Sequence, residues 1–319
     1  MRKLAFVSCD DLSRYFPSKK NALLTHDDQI ACDYLQYHSY EVEALPWQVD
    51  VESVLQKNFD LLVIRSPWDY MDTEEKRTGF LHWLKTLSEN KVRISNPYEI
   101  LQWNLDKHYL NDCKKLGIAT VPSLFLEPED KLDILSEALA QWKQIVVKPC
   151  ISAAAKDTFL IRSVSELEEF LSRFEILRKD RAFLIQPFIK EIESEGEWSL
   201  VFIDQVYSHA VLKLPKKGNW LVQDELGGSV QCKEAPDEVR EFAEHAFQRL
   251  IEFLKEKFPE NPYILYARID IVPGNLLGEI ELVEPELFFL DRKMQEPNIG
   301  ALEKFLKGIT SQAKESVSE

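Results

Sequence analysis

Apolar positions along the chain follow two rhythms. Runs of strand length, "KLAFVSC" at 3–9 and "DLLVIRS" at 60–66, flank a segment with helical potential around Asp27 to Gln36. Strand, helix and strand in that order predict an opening α/β unit on a parallel sheet. Helical spacing returns in "EEKRTGFLHWLKTLSEN", which sets Phe80, Trp83, Leu84 and Leu87 on one stripe. Asn96-Pro97 breaks the pattern and places a first domain boundary near residue 96. "NLDKHYLNDCKKLG" then predicts a helix with Leu105, Tyr109, Cys113 and Leu116 on one side and Gly117 as its stop.

From Val121 to Arg181 the pattern alternates: "PSLFLE", an amphipathic stretch to Trp142, "QIVVKP", "TFLIRS", and a helix from Ser165 opened by a Ser165–Glu168 capping box. Beyond it strands dominate, namely "AFLIQPFI", "EWSLVFI", "VYSHAVLKL", "NWLVQ", "YILYARIDIV" and "LLGEIELVE". One long helix interrupts them, "PDEVREFAEHAFQRLIEFLKEKF", with Val239, Phe242, Ala246, Leu250 and Phe253 on a shared face. The second half is therefore α+β with antiparallel sheet. No internal repeat is visible, and "SQAKESVSE" at the C-terminus reads as a disordered tail.

Composition narrows the function. With 319 residues, 45% of them hydrophobic, the chain can bury a large core in two or three packed units. Its 54 acidic residues outweigh 39 basic ones, giving a net charge of −15, and no Lys/Arg block supplies the footprint a nucleic acid needs. No apolar run approaches the ~20 residues of a membrane span. The N-terminal "MRKLAFVSCDD" lacks a cleavage site and reads as a first strand rather than a signal. Five widely spaced cysteines without a C-x-x-C pair imply neither a disulfide framework nor a zinc site, so a reducing cytoplasm is the expected compartment.

The sharpest chemical signal is acidic. "YARIDIV" and "LGEIELV" flank "PGN", a turn sequence that predicts a β-hairpin. Alternation puts Arg268 and Asp270 on one strand face and Glu279 and Glu281 on another, opposite Ile280 and Leu282. Should these meet, carboxylates ~5 Å apart repel by about 3 kcal/mol per pair at an effective dielectric near 20. A divalent cation bound by hard oxygens, Mg²⁺ or Mn²⁺, would relieve that. A solvated hairpin face explains the same alternation. Upstream cations tip the balance: Lys148 ends the buried-looking strand "QIVVKP", where it suits a phosphate better than a core. "ISAAAKDT" at 151–158 is a small-residue loop able to approach phosphates, and "IQPFIKE" at 185–191 could cradle a purine or be a strand edge. No P-loop and no G-x-S-x-G occurs.

These pieces, in this order, resemble the ATP-grasp superfamily over essentially the whole chain, specifically its glutathione-synthetase-like and ribosomal-protein glutamate-ligase-like branch. "RSPWDY", "NPYEILQWNLDKHYL", "KPCISAAAKDT", "SHAVLK", "GNWLVQDELGGS" and "ELVEPELFF" are similar to a subgroup of that branch, the O-ureido-serine cyclo-ligases of D-cycloserine biosynthesis. The resemblance implies an ATP-grasp fold, α/β and α+β, with an N-terminal Rossmann-like (pre-ATP-grasp) domain at 1–96 on the substrate side. It implies a central lid subdomain at 97–185 and a C-terminal subdomain with the metal site at 186–319. The activity implied is ATP-dependent, ADP-forming ligation of a carboxylate to an amine through an acyl phosphate, on an amino-acid-like or other small metabolite.

By the same resemblance Lys107 and Lys148 contact phosphates, Gln186, Pro187, Phe188 and Ile189 surround adenine, Glu197 meets the sugar, and Gln223 helps hold nucleotide or metal. Asp270, Glu279 and Glu281 are the metal ligands, while Lys213 and Arg268 stabilise charge on the transferring phosphoryl group. Arg65, Trp68, Asp69 and Tyr70 follow a strand end, where open α/β sheets hold ligands, and are assigned to substrate or equally to a packed turn. Three departures stand out: Glu281 in place of asparagine, Leu221 in place of arginine, and alanines at Ala153–Ala155 in place of a glycine-rich lid. Leu221 keeps open a catalytically weakened ATP-binding regulator, and the same fold keeps open phosphoryl transfer to a non-carboxylate acceptor. The sequence is silent on assembly, with a homodimer one option.

Overall fold

In the computed structural model, residues 1–14, 22–152, 156–216, 218–220, 222, 227–291 and 294–314 are described. The α/β opening forms as its pattern predicts. Strands β1 (Arg2–Ser8), β2 (Tyr40–Pro46), β3 (Leu61–Ser66) and β4 (Ile94–Ser95) make a parallel sheet in the order β2-β1-β3-β4. Helices α1 (His26–Tyr37), α2 (Val51–Lys57) and α3 (Glu74–Glu89) connect them. Thr25 and Thr73 cap α1 and α3 by accepting from Asp28 N and Lys76 N. β2 and α2 escape the apolar pattern because "YEVEALP" is a half-exposed edge strand and α2 buries only Val54.

The helix predicted over 104–117 is two helices, α4 (Tyr98–Asn104) and α5 (Tyr109–Lys115), and Lys107 sits in the turn between them rather than on a helix. Asp106 ties that turn by accepting from the His108 backbone N–H at 3.0 Å. A second sheet follows, β5 (Leu124–Leu126), β6 (Ile145–Pro149), β7 (Phe159–Ile161) and β8 (Phe183–Pro187), antiparallel in the order β5-β8-β6-β7. Helices α6 (Asp133–Trp142) and α7 (Val164–Leu177) pack on it through Leu135, Leu139, Phe170 and Phe174. The capping box of α7 lies two residues before the predicted one. Ser163 Oγ accepts from Glu166 N at 3.2 Å and Glu166 accepts from Arg162 N at 2.6 Å.

After the short α8 (Ile192–Glu195) comes the third sheet, antiparallel in the order β11-β10-β9-β12-β13. Its strands are β9 (Glu197–Ile203), β10 (Val206–Leu214), β11 (Ser229–Cys232), β12 (Tyr266–Val272) and β13 (Leu276–Glu281). The strand expected at "NWLVQ" is absent from its described residues. Asn219 N bonds Lys216 O at 2.7 Å and Gly218 adopts φ +83°, so the chain turns there instead. Helix α9 (Asp237–Lys257) covers the back of the sheet, closing on Ala267, Ile269, Ile271 and Ile280.

A final helix, α10 (Ile299–Lys314), was not anticipated, and its last turn, Ser311–Lys314, occupies the start of the supposed disordered tail. Leu302, Phe305 and Ile309 fill the space between Leu4 and Phe6 of β1 and Val201, Ile203 and Val211 of the third sheet. No helix among the described residues is long and apolar enough to cross a membrane.

Candidate active site

An edge strand exposes unpaired backbone groups, and β13 is an edge strand. Its outer groups are satisfied by side chains from the α4–α5 segment. Asn104 Nδ2 donates to Ile280 O at 2.9 Å and its Oδ1 accepts from Leu282 N at 2.7 Å, while Tyr109 Oη accepts from Ile280 N at 2.8 Å. Asn96 adds bonds to Tyr266 O, Leu282 O and Leu265 N. The strand is thus pinned from outside, which fixes where its glutamates point.

Register brings the predicted charges together. Arg268 pairs across strands with Glu281, Asp270 with Glu279 and Ser199, and Lys213 with Glu197. All share the face opposite α9. One half of that face is apolar and buried beneath α10, through Val201, Ile203, Val211 and Tyr266. The other half, charged, lines a cavity of about 320 Å³ that also touches Lys107, Lys148, Gln186 and Tyr70.

The carboxylates on this face are neutralised by side chains rather than left repelling. Asp270 accepts from Arg268 Nε and Nη2, each at 2.9 Å, from Ser199 Oγ at 2.6 Å and from Lys213 Nζ at 3.3 Å. Burial works against its charge, yet Arg268 and Lys213 hold it well below the usual carboxylate range. Arg268 also bonds Glu281, and Lys213 reaches Glu197 at 3.1 Å. Lys107 pairs with Glu279 at 3.0 Å, and despite burial Lys107 and Lys148 hold Glu279 low.

Glu281 behaves differently. Burial, with Asp270 and Glu279 adding to it, pushes it up to about 8 against the pull of Arg268, whose two-pronged bond goes to Asp270. Burial also lowers Lys148, whose side chain makes no hydrogen bond or ion pair among the described residues. Four carboxylates, Glu197, Asp270, Glu279 and Glu281, therefore face four cations, Lys107, Lys148, Lys213 and Arg268. Those cations answer the repulsion at Asp270 and Glu279, while both of these carboxylates still raise Glu281.

The predicted hinge also reaches the cavity. Gln186, Pro187, Phe188 and Ile189 line it beside Val146 and Val222. Gln186 is held by Ser123 Oγ at 2.9 Å, and Phe188 meets Trp220 edge to face at 6.1 Å. Trp220 was missed because "NWLVQ" reads as a strand. Gln223, Leu221 and Ala153–Ala155 lie outside the described residues. Lys156 donates to Asp72 O at 3.2 Å, just after the turn Trp68–Met71.

The four substrate candidates divide. Trp68 and Tyr70 line the cavity, but Arg65 and Asp69 do not. Arg65 is buried, bonded to Asp28 at 2.7 Å and to Pro285 O at 3.1 Å, and lies over the Tyr266 ring. Asp69 is buried among Trp47 Nε1 at 2.6 Å, Gln48 Nε2 at 2.5 Å and Lys76 Nζ at 2.8 Å. These two hold the 3-10 turn Trp68–Met71 in place, and that turn presents Trp68 and Tyr70.

A protein of Streptomyces lavendulae, the cycloserine biosynthesis protein DcsG, is 30% identical over 247 residues, covering 72% of this chain and 77% of that protein. This chain belongs to the DcsG family. Residues 4–96 match the family described as the N-terminal domain of the D-cycloserine synthetase DcsG. The crystal structure of D-cycloserine synthetase DcsG superposes with a TM-score of 0.77 at 23% identity, over 98% of this chain and 99% of that one. The D-alanine–D-alanine ligase of Bacillus anthracis complexed with ATP superposes with a TM-score of 0.61 at 14% identity, over 99% of this chain and 98% of that one. The fold is ATP-grasp, shared with the ATP-grasp ligase PsnB, which superposes with a TM-score of 0.58 at 15% identity over 98% of each chain.

Within this family member the acidic face suits a hard cation by its donor chemistry, since only carboxylates and no imidazole or thiol contribute. Arg268, bonded to both Asp270 and Glu281, now sets their spacing, and no three oxygens of Asp270, Glu279 and Glu281 fall within 4.8 Å of one another. Three metal-type donors do so, among the described residues, only at Asp106, His108 and Cys150. There His108 already bonds Asp106 at 2.6 Å and Glu127 at 2.9 Å, and burial raises the Cys150 thiol far above its ordinary range. That cluster is a hydrogen-bonded network around the Lys107 turn.

Proposed function

We propose that this DcsG-family chain joins a carboxylate to an amine on a small amino-acid-like substrate, using ATP, releasing ADP and passing through an acyl phosphate. The observation that supports it most is the joining, in one cavity, of a purine-sized apolar hinge, four cations, an acidic face and the aromatic pair Trp68 and Tyr70. Gln186, Pro187, Phe188 and Ile189 would hold adenine and Glu197 the sugar. Lys107 and Lys148 would meet the phosphates, with Lys148 the readier because no described carboxylate forms an ion pair with it, whereas Lys107 is paired with Glu279. Lys213 and Arg268, buried beside the acids, would stabilise charge on the phosphoryl group in transfer, where fixed charges act strongly out of water.

Asp270, Glu279 and Glu281 would hold Mg²⁺ or Mn²⁺, which supplies charge neutralisation to the nucleotide's β- and γ-phosphates. Trp68 and Tyr70 would bound the substrate carboxylate. Four buried thiols, Cys9, Cys32, Cys113 and Cys150, suit a reducing cytoplasm. The test is ADP release with Mg²⁺ across serine, O-ureido-serine, 2,3-diaminopropionate and hydroxamate analogues. Stimulation by at least one is expected, and ATP binding with no stimulated ADP would overturn the reading. Glu281→Ala should abolish metal-dependent turnover, and undiminished activity would remove Glu281 from the metal site.

A further inference from the structure

The bend after β13 carries a carboxylate that the nucleotide chemistry leaves unused. Glu284 lies on the cavity wall with Trp68 and Tyr70. Tyr70 O–H donates to Glu284 Oε1 at 2.7 Å, and Trp68 Nε1 donates to the Glu284 backbone carbonyl at 3.5 Å. Main chain and one oxygen are thus both held from the 3-10 turn of the first sheet. The other oxygen, Oε2, is buried and has no hydrogen-bond partner among the described residues. Buried polar atoms in native proteins are almost always bonded, so an orphaned acceptor on a cavity wall marks a place for a donor from outside the chain.

Its neighbours sharpen the assignment. Glu197, Asp270, Glu279 and Glu281 each contact a lysine or arginine, whereas no described cation pairs with Glu284. Burial pushes Glu284 up to about 7, with Tyr70 and Lys107 acting against that rise. A group of that strength is partly ionised at neutral pH and can both accept an N–H and take its proton.

We propose that Glu284 receives the attacking nitrogen of the substrate, its free Oε2 accepting an N–H and then the proton as the C–N bond forms. This rests on the ligase reading. In the step, the nitrogen lone pair forms the bond to the carbonyl carbon of the acyl phosphate. The C–O bond to phosphorus-bearing oxygen breaks, and phosphate leaves with that electron pair. The nitrogen's proton passes to Oε2, leaving Glu284 as the neutral acid. The ligand class is therefore an amine or similar nitrogen carrying at least one N–H, approaching from the side of Trp68 and Tyr70.

The experiment uses the full chain, ATP, Mg²⁺ and whichever amino acid of the panel above wild-type protein turns over, with hydroxylamine added to trap the acyl phosphate. Glu284→Gln is expected to keep ATP affinity by calorimetry and to form hydroxamate at the wild-type rate, while C–N product falls about 100-fold or more. Glu284→Asp, which retains the carboxylate one methylene short, should fall between. Wild-type product formation by Glu284→Gln overturns the assignment, as does parallel loss of hydroxamate and product with ATP still bound. If wild-type protein turns over no panel member and gives neither hydroxamate nor ADP, the ligase reading falls and this assignment with it.

Discussion

Two buried acids, Asp270 on the hairpin and Glu284 at the bend that follows it, behave oppositely. On the hairpin face, Asp270 is bonded by Arg268, Lys213 and Ser199 and remains charged well below the ordinary range. At the following bend, Glu284 has one tyrosine hydroxyl and, among the described residues, no cation paired with it, and burial carries it up to about 7. Burial is common to both, so the cations decide. A sheet places residues two apart on one face and opposite partners across it, which lets Arg268 and Lys213 converge on Asp270. A bend offers no such ladder. The two environments thus suit different tasks: fixed charge for phosphates in one, proton exchange in the other.

The strongest way to break this comparison is Asp270→Asn. It removes the charge that Arg268 and Lys213 share, and Mg²⁺-dependent ADP release is expected to fall about a thousand-fold. Turnover near wild type would show that the neutralised face is scaffold rather than chemistry. On the other side, Tyr70→Phe removes the only hydrogen bond to the Glu284 carboxylate among the described residues. A stability loss of about 1.5–3 kcal/mol is expected by urea unfolding, with ATP affinity kept. An unchanged midpoint would mean that Glu284 is not held from the first sheet.

The smallest effect concerns the segment that leads away from the bend. His209 Nε2 donates to Leu287 O at 2.9 Å, and burial lowers the ring's pKa from 6.5 to about 4. Between those values the unfolded chain binds the proton that the folded one refuses. This contribution is therefore present above pH 6.5 and is lost as pH falls toward 4. His209→Gln should flatten the acid side of a stability–pH curve measured by chemical denaturation, and an unaltered slope would place the acid sensitivity elsewhere.

Much of this was open to a reader of the sequence. Period-two alternation in "YARIDIV" and "GEIE" announced which residues share a face, and the hairpin turn announced that the two strands pair. Lys148, at the end of an apolar strand, was marked by a residue type that fits poorly in a core, whereas only the resemblance tipped Gln186–Ile189 toward a purine. Local signals failed where neighbours outvoted them. Trp220 and Val222 looked like a strand but follow a turn set by Gly218 and Asn219. Arg65 and Asp69, read equally as ligand groups or as a packed turn, are bonded to Asp28, Trp47, Gln48 and Lys76. The partners lie up to 37 residues away, beyond any local pattern.

By itself the sequence determined the alternation of faces, the opening α/β unit and the presence of an acidic face with cations upstream, because these depend on periodicity and residue chemistry within one element. Only tertiary structure decided who neutralises whom. It placed Arg268 between Asp270 and Glu281, set α10 over half of the charged sheet's face, and left one oxygen of Glu284 bare. Charge and burial are properties of a neighbourhood, and a neighbourhood assembled from residues 65–70, 107, 213 and 268–284 exists only once the chain has folded.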